Sequence, residues 1–371
     1  MTKRVAELAS LQSMTLLSRL LLAQAGGGDS RLPTLAELNR DVSNISREQF
    51  DNLVALASSN HVIVRGLVMF GDMMREAKDE VRGKWAETAL TAERARITKA
   101  LGFLQDICSG FEVKGYGVAV IKSLDHWPDL GSDLDLYTNA TSENVINLMK
   151  KRFDAQIAPR SWGDRLAGKW NFLIVGLPEA VEVHVGRLGQ TGEQAGIASK
   201  LLERSRRVEI GLHSFRVPSA SDRLMISSLQ RMYRHFYFRL CDIVDTVALS
   251  AGGSIDFIDL RSAATAAGIW EGVATYLAIV SDYAQSYRGS TLELPHFVKA
   301  AARFGGDEVY YAREFLRVPI MPQSVRLYGE QLAGLMRRRE LQNGVRLSLL
   351  PWLATAALVG QRITGSDKGI W

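Results

Sequence analysis

Cysteine is nearly absent: Cys108 and Cys241 are the only two in 371 residues. That excludes a disulfide framework and a cysteine-rich zinc site, and it points to a reducing, cytoplasmic setting. The six histidines are scattered and show no zinc-ligand spacing. Long hydrophobic runs are also missing. The longest uncharged apolar stretch, Leu347–Gly360, falls short of the roughly 18–20 residues a spanning helix needs, and Pro351 interrupts it. It reads as a core helix behind a basic neck at Arg337, Arg338 and Arg339, so no integral membrane association is expected. A large excess of one sign of charge is missing as well. A net +5 over this length suits an anionic ligand such as a nucleotide but does not argue for DNA binding.

The N-terminus imitates a secretory leader, with Lys3 and Arg4 ahead of the apolar Leu20–Ala23 run. Glu7 and Arg19 interrupt it, and Leu8, Leu11, Thr15, Leu16 and Leu20 recur at helical spacing. The segment therefore reads as an amphipathic helix over residues 1–25, ended by the linker candidate Gly26, Gly27 and Gly28. Ser46 followed by Gln49 forms a capping box, with Phe50, Leu53, Val54 and Ala57 as the apolar stripe behind it. Further helices are expected over Val62–Ala77 and from about Thr91 to Ser109.

After residue 110 the pattern changes to short strands. Val118–Ile121, Leu134–Tyr137, Asn171–Val175 and Val181–Val185 are the candidates, with a helix over Ser142–Phe153 between the second and third. Helical patterning returns near Ser221–Leu249, Leu260–Tyr287 and Gln323–Arg339. The predicted class is α+β: residues 1–110 an N-terminal helical region, 111–218 a small mixed-sheet core, and 219–371 a C-terminal helical domain.

Several motifs fail on context. Gly163–Trp170 approaches a P-loop, but Trp170 replaces the magnesium-binding hydroxyl, and a strand follows where a helix must. Gly115-Tyr116-Gly117 is an incomplete dinucleotide fingerprint placed before a strand. Arg231, Arg234 and Arg239 interleave with Tyr233, Phe236 and Tyr237, which reads as a helix with aromatics in the core and arginines at its rim.

One constellation survives. A buried strand ends in Lys122 and Ser123, and Gly131 and Ser132 lead into Asp133-Leu134-Asp135. Residues two apart on a strand share a face, so Asp133 and Asp135 project together. Close carboxylates repel, and a hard cation such as Mg²⁺ offsets that repulsion. Glu182 alternates with Val181 and Val183 and shares its face with His184. Pairing its strand beside the others would add a third carboxylate, giving the three-acid clamp of two-metal phosphoryl or nucleotidyl transfer.

The Ser123…Gly131-Ser132-Asp133-Leu134-Asp135-Leu136 pattern resembles the signature of the DNA polymerase β-type nucleotidyltransferase superfamily. Within it, the chain is most similar to an uncharacterised bacterial nucleotidyltransferase-like family whose core strand ends in Lys-Gly. The likeness spans roughly residues 45–290. It implies Mg²⁺-dependent (or Mn²⁺-dependent) transfer of a nucleoside monophosphate from a nucleoside triphosphate to an acceptor hydroxyl. Asp133, Asp135 and Glu182 would be the catalytic metal ligands, with Glu182 helping to deprotonate the acceptor. Lys122, Ser123 and Ser132 would bind the nucleotide, and His184 would support the site. A small molecule, peptide or protein is favoured over RNA as acceptor. Lys122 stands where the superfamily places a small residue, and Glu182 is one methylene longer than the usual Asp. Two other readings stay open: a degenerate module that only binds nucleotide or protein, and an RNA-modifying toxin.

Overall fold

The computed structural model describes residues 3–23, 35–352 and 356. The glycine linker candidate at 26–28 and most of the run beyond Trp352 lie outside the described residues.

The first helix, Lys3–Leu22, buries Met14, Leu17 and Leu20. Its core face is rotated from the expected stripe, since Leu11 is 43% exposed. Ser46 caps Arg47–Ser59 through the full capping box with Gln49, and Phe50, Leu53, Leu56 and Ala57 face inward. Ile63–Glu76 follows. The expected Thr91–Ser109 helix is the middle of a longer one, Glu80–Val113, about 50 Å at 1.5 Å per residue. Its buried positions Leu90, Ile97, Leu101, Leu104 and Ile107 keep one stripe inward.

The sheet consists of β1 (Val118–Val120), β2 (Asp133–Thr138), β3 (Gln156–Ile157), β4 (Lys169–Leu173) and β5 (Ala180–Val185). Their spatial order is β1-β2-β5-β4-β3. Only β2 and β5 pair in parallel; the other neighbours are antiparallel. A parallel pair needs a long crossover, and residues 139–179 supply it with the Ser142–Phe153 helix, β3 and β4. Leu134, Leu136, Val181 and Val183 are fully buried on one face, which leaves the alternate residues for the other. β4 starts two residues earlier than expected, so Lys169 belongs to the sheet.

A hairpin of β6 (Arg206–Ile210) and β7 (His213–Val217) was not expected; Gly211, at φ 61°, turns it. The expected Ser221–Leu249 helix is broken. Ala220–Gln230 runs into a π-helical turn at Arg231–His235. Phe236 then takes a left-handed φ of 55°, and Leu240–Ala251 starts anew. Between them β8 (Tyr237–Phe238) joins β9 (Tyr310–Ala312) and β10 (Phe315–Arg317) in a small sheet. Phe257–Ala267 and Trp270–Arg288 are two helices where one was expected, separated by Gly268 at φ 73°.

The N-terminal helices pack against elements of the C-terminal region. The hydroxyls of Ser18 and Tyr283 lie 2.6 Å apart. The Asn60 side chain accepts the Leu240 N–H at 3.0 Å and donates to the Glu314 carbonyl at 3.2 Å. Among the described residues no helix is long and apolar enough to cross a membrane. Of the run expected as a core helix, Leu347 is buried and its carbonyl accepts the Tyr328 hydroxyl, but the helix Leu341–Ser348 ends there and Leu349 and Trp352 are exposed.

Candidate functional site

The site begins with a backbone reversal. Lys122 follows the end of β1 at φ 63°, ψ −62°, and the Ser123 N–H closes a 2.6 Å bond onto the Ile121 carbonyl. These are the marks of a positive-φ γ-turn, a strained conformation for a residue with a Cβ. It lies at the position where the resemblance called for a small residue. The 3₁₀ turn Ser123–His126 follows.

Ser123 secures the next strand. Its hydroxyl accepts the Asp135 N–H at 2.7 Å and donates to the Asp133 carbonyl at 3.0 Å. Expected to hold phosphate, this hydroxyl is spent instead on fixing the two aspartates, and Ser123 is buried. Ser132 is exposed at the rim, its hydroxyl 3.5 Å from the Asp133 carboxylate. Arg96, on the long helix, steadies both approaches by binding the Leu130 carbonyl before β2 and Glu179 before β5.

The parallel register sets Asp135 opposite Glu182. One oxygen of Asp135, one of Glu182 and one ring nitrogen of His184 lie within 4.8 Å of one another. Positive groups are already there. Lys122 Nζ contacts Asp135 and lies 3.3 Å from Glu182 Oε1. Lys169 Nζ and His184 Nε2 reach the same oxygen at 2.9 and 2.8 Å. Burial by itself would raise the Glu182 carboxyl, but Lys169, Lys122 and His184 outweigh it and hold it well below the ordinary range. Lys122 is raised because Asp135 and Glu182 overcome its burial. Lys169, only 2% exposed, is lowered to about 8 by burial, with nearby Arg234 adding to the effect. Asp133 differs from its neighbours: it is exposed, and among the described residues it has no ion-pair partner. Enclosure at the cavity mouth, then the charges of Asp135 and Glu182, push its carboxyl upward.

These acids border a cavity of about 190 Å³. The broken helix supplies the facing wall with Arg231, Arg234, His235, Tyr237 and Arg239. Arg231 is buried and bound to Asp242 at 2.7 Å, so it is not a rim residue as the sequence suggested. Among the described residues neither the Arg234 nor the Arg239 guanidinium has a carboxylate partner, although both residues line the cavity. Two guanidiniums without a carboxylate partner thus face a carboxylate cluster across one cavity, an arrangement complementary in charge to an anion that also carries a cation.

The structure thus gathers Asp133, Asp135, Glu182, Lys122 and His184, and redirects Ser123. Sequence reasoning missed Lys169, Arg234 and Arg239. The arginine and aromatic interleaving was the available signal for the last two, and the register of β4 on β5 was needed for Lys169. No family model, curated protein or solved structure matches the chain.

Proposed function

We propose that this chain binds a nucleoside triphosphate and, in the manner of the polymerase β-type enzymes it resembles, transfers its nucleoside monophosphate to an acceptor hydroxyl. The observation that carries the reading is the meeting of Asp133 and Asp135 with Arg234 and Arg239 across one cavity. A triphosphate needs cationic partners for its oxygens and hard oxygen donors for its divalent ion, and this cavity holds both.

The residues fit one Mg²⁺ or Mn²⁺ and not two. Asp133 and Asp135 line the cavity as hard oxygen donors, and Asp133 has no competing cation on it. Glu182 already holds Lys122, Lys169 and His184 on one oxygen. In this arrangement Glu182 anchors Lys122 beside Asp135, and an ion held by these acids would take the place of that ammonium. When bound, the ion would offset charge on the phosphoryl oxygens. Arg234 and Arg239 would hold the outgoing phosphates. In the reaction the acceptor hydroxyl gives up its proton to solvent, its oxygen bonds to the α-phosphorus, the bond from that phosphorus to the bridging oxygen breaks, and pyrophosphate leaves. A cavity of about 190 Å³ is below the roughly 300–1,000 Å³ of a site for a whole drug-sized ligand. It suits the phosphate tail, with base and acceptor outside. The free thiols Cys108 and Cys241 agree with a cytoplasmic place of action.

The Lys122–Glu182–Lys169 cluster favours a second reading, a module that binds the triphosphate without transferring it, because two ammonium groups offset charge that a second metal would need. Incubating the protein with each labelled triphosphate, Mg²⁺ and a lysate of its source cell separates the two. Label moved to an acceptor supports transfer. Saturable binding without transfer supports the module, and absence of binding removes both.

A further inference from the structure

We propose that His61, His126 and Cys241 form a transition-metal site, chemically suited to Zn²⁺, in the wall of the same cavity. One donor atom from each lies within 4.8 Å of the others. They come from three separate elements. His61 follows the Arg47–Ser59 helix, His126 ends the turn after β1, and Cys241 is the second residue of the Leu240–Ala251 helix.

The geometry matches a tetrahedral ion. With Zn–N of about 2.0–2.1 Å and Zn–S of about 2.3 Å, neighbouring N and S ligands stand about 3.6 Å apart. His126 Nε2 and Cys241 Sγ are 3.7 Å apart. That separation would also suit a plain imidazole–thiol contact, but such a contact leaves His61 unexplained. Its Nδ1 is buried with no hydrogen-bond partner, and buried polar atoms are seldom left in that state without a ligand. Two imidazoles and a thiol are the donors that select zinc over magnesium or calcium.

The surroundings resemble those of a ligating histidine. His126 Nδ1 lies 2.5 Å from Asp245, which leaves Nε2 for an ion. Asp245 is in turn held at 2.6 Å by Arg65, whose other partner is Asp129 at 2.7 Å. A carboxylate behind the histidine fixes ring orientation and raises ligand basicity. The ligand-bearing termini are also fastened without a metal, because Asn60 accepts the N–H groups of both Leu240 and Cys241. His61 and His126 border the cavity and Cys241 is fully buried. With three protein donors in the group, a fourth position is left for water or a cavity ligand, as in catalytic zinc sites. This site is independent of the Mg²⁺ reading, since it uses none of Asp133, Asp135 or Glu182.

The test uses tag-free, full-length protein stripped with EDTA and titrated with Zn²⁺ or Co²⁺. The expected result is one tightly held equivalent per chain. The cobalt form should show a thiolate-to-cobalt charge-transfer band that Cys241→Ser removes. His61→Gln, which breaks no side-chain hydrogen bond among the described residues, should lose tight binding while keeping the wild-type circular dichroism spectrum. Asp245→Asn should weaken zinc binding by about 10–100-fold. Absence of a tight equivalent in the wild type would overturn the proposal, as would an unchanged cobalt spectrum in Cys241→Ser or undiminished zinc affinity in His61→Gln.

Discussion

Asp135 and Glu182 are register partners on the parallel strands β2 and β5, and a single ammonium group, that of Lys122, contacts both. Two carboxylates held side by side repel, and this pair is reconciled by a cation from the chain itself. The partition of roles follows. Asp133 carries no ion pair among the described residues, whereas Lys122 bridges Asp135 and Glu182 and Lys169 adds a second ammonium to Glu182. Replacing both aspartates by asparagine should abolish the enhancement of triphosphate binding by Mg²⁺ or Mn²⁺. Calorimetry showing the same metal-dependent affinity in Asp133→Asn/Asp135→Asn would take these residues out of the site.

Lys122 combines a strained backbone with a buried ion pair, and two substitutions separate those effects. Lys122→Ala and Lys122→Gly both remove the ammonium and leave Asp135 and Glu182 facing each other, a loss of about 3–5 kcal/mol for a broken buried pair. Only the glycine relieves φ 63°. Urea unfolding should therefore find Lys122→Gly more stable than Lys122→Ala by about 1–3 kcal/mol. Equal midpoints would mean the turn is unstrained.

For Ser123, the two roles predict opposite results. As a clamp on β2, Ser123→Ala leaves the buried Asp135 N–H without its acceptor and should cost about 1–3 kcal/mol in denaturant unfolding. As a phosphate ligand it would cost triphosphate affinity and little stability. Lost affinity at unchanged stability would restore the role the sequence suggested.

Arg234→Ala and Arg239→Ala should each weaken triphosphate binding about tenfold or more, given about 1.5–3 kcal/mol for a hydrogen bond to a charged group. Each should also flatten the salt dependence of binding. Stability should change little, because neither guanidinium has a carboxylate partner among the described residues. Unaltered affinity in the double variant would move the phosphates elsewhere.

Periodicity is a local property, and what it governs was legible in the sequence. Alternation along β5 places Glu182 and His184 on one face and Val181 and Val183 on the other. The Ser46 and Gln49 capping box marks a helix start, and Asp133 and Asp135 share a face two residues apart. Local pattern does not say which strand pairs with which. The crossover that lays β5 parallel to β2 decides that Glu182 meets Asp135, and β4 beside it brings Lys169 onto the same oxygen. The long expected helix around residue 236 breaks because β8 pairs with β10, an attachment to a strand some eighty residues later that helical spacing cannot reveal. Cys241 is 115 residues from His126, and Val64, just beyond His61, is 65 residues from its partner Asp129. A search for ligand spacing in the sequence therefore finds no zinc pattern. Only the return of three separate segments to one place, fixed by Asn60, Asp129 and Asp245, sets their donor atoms within reach of a single ion.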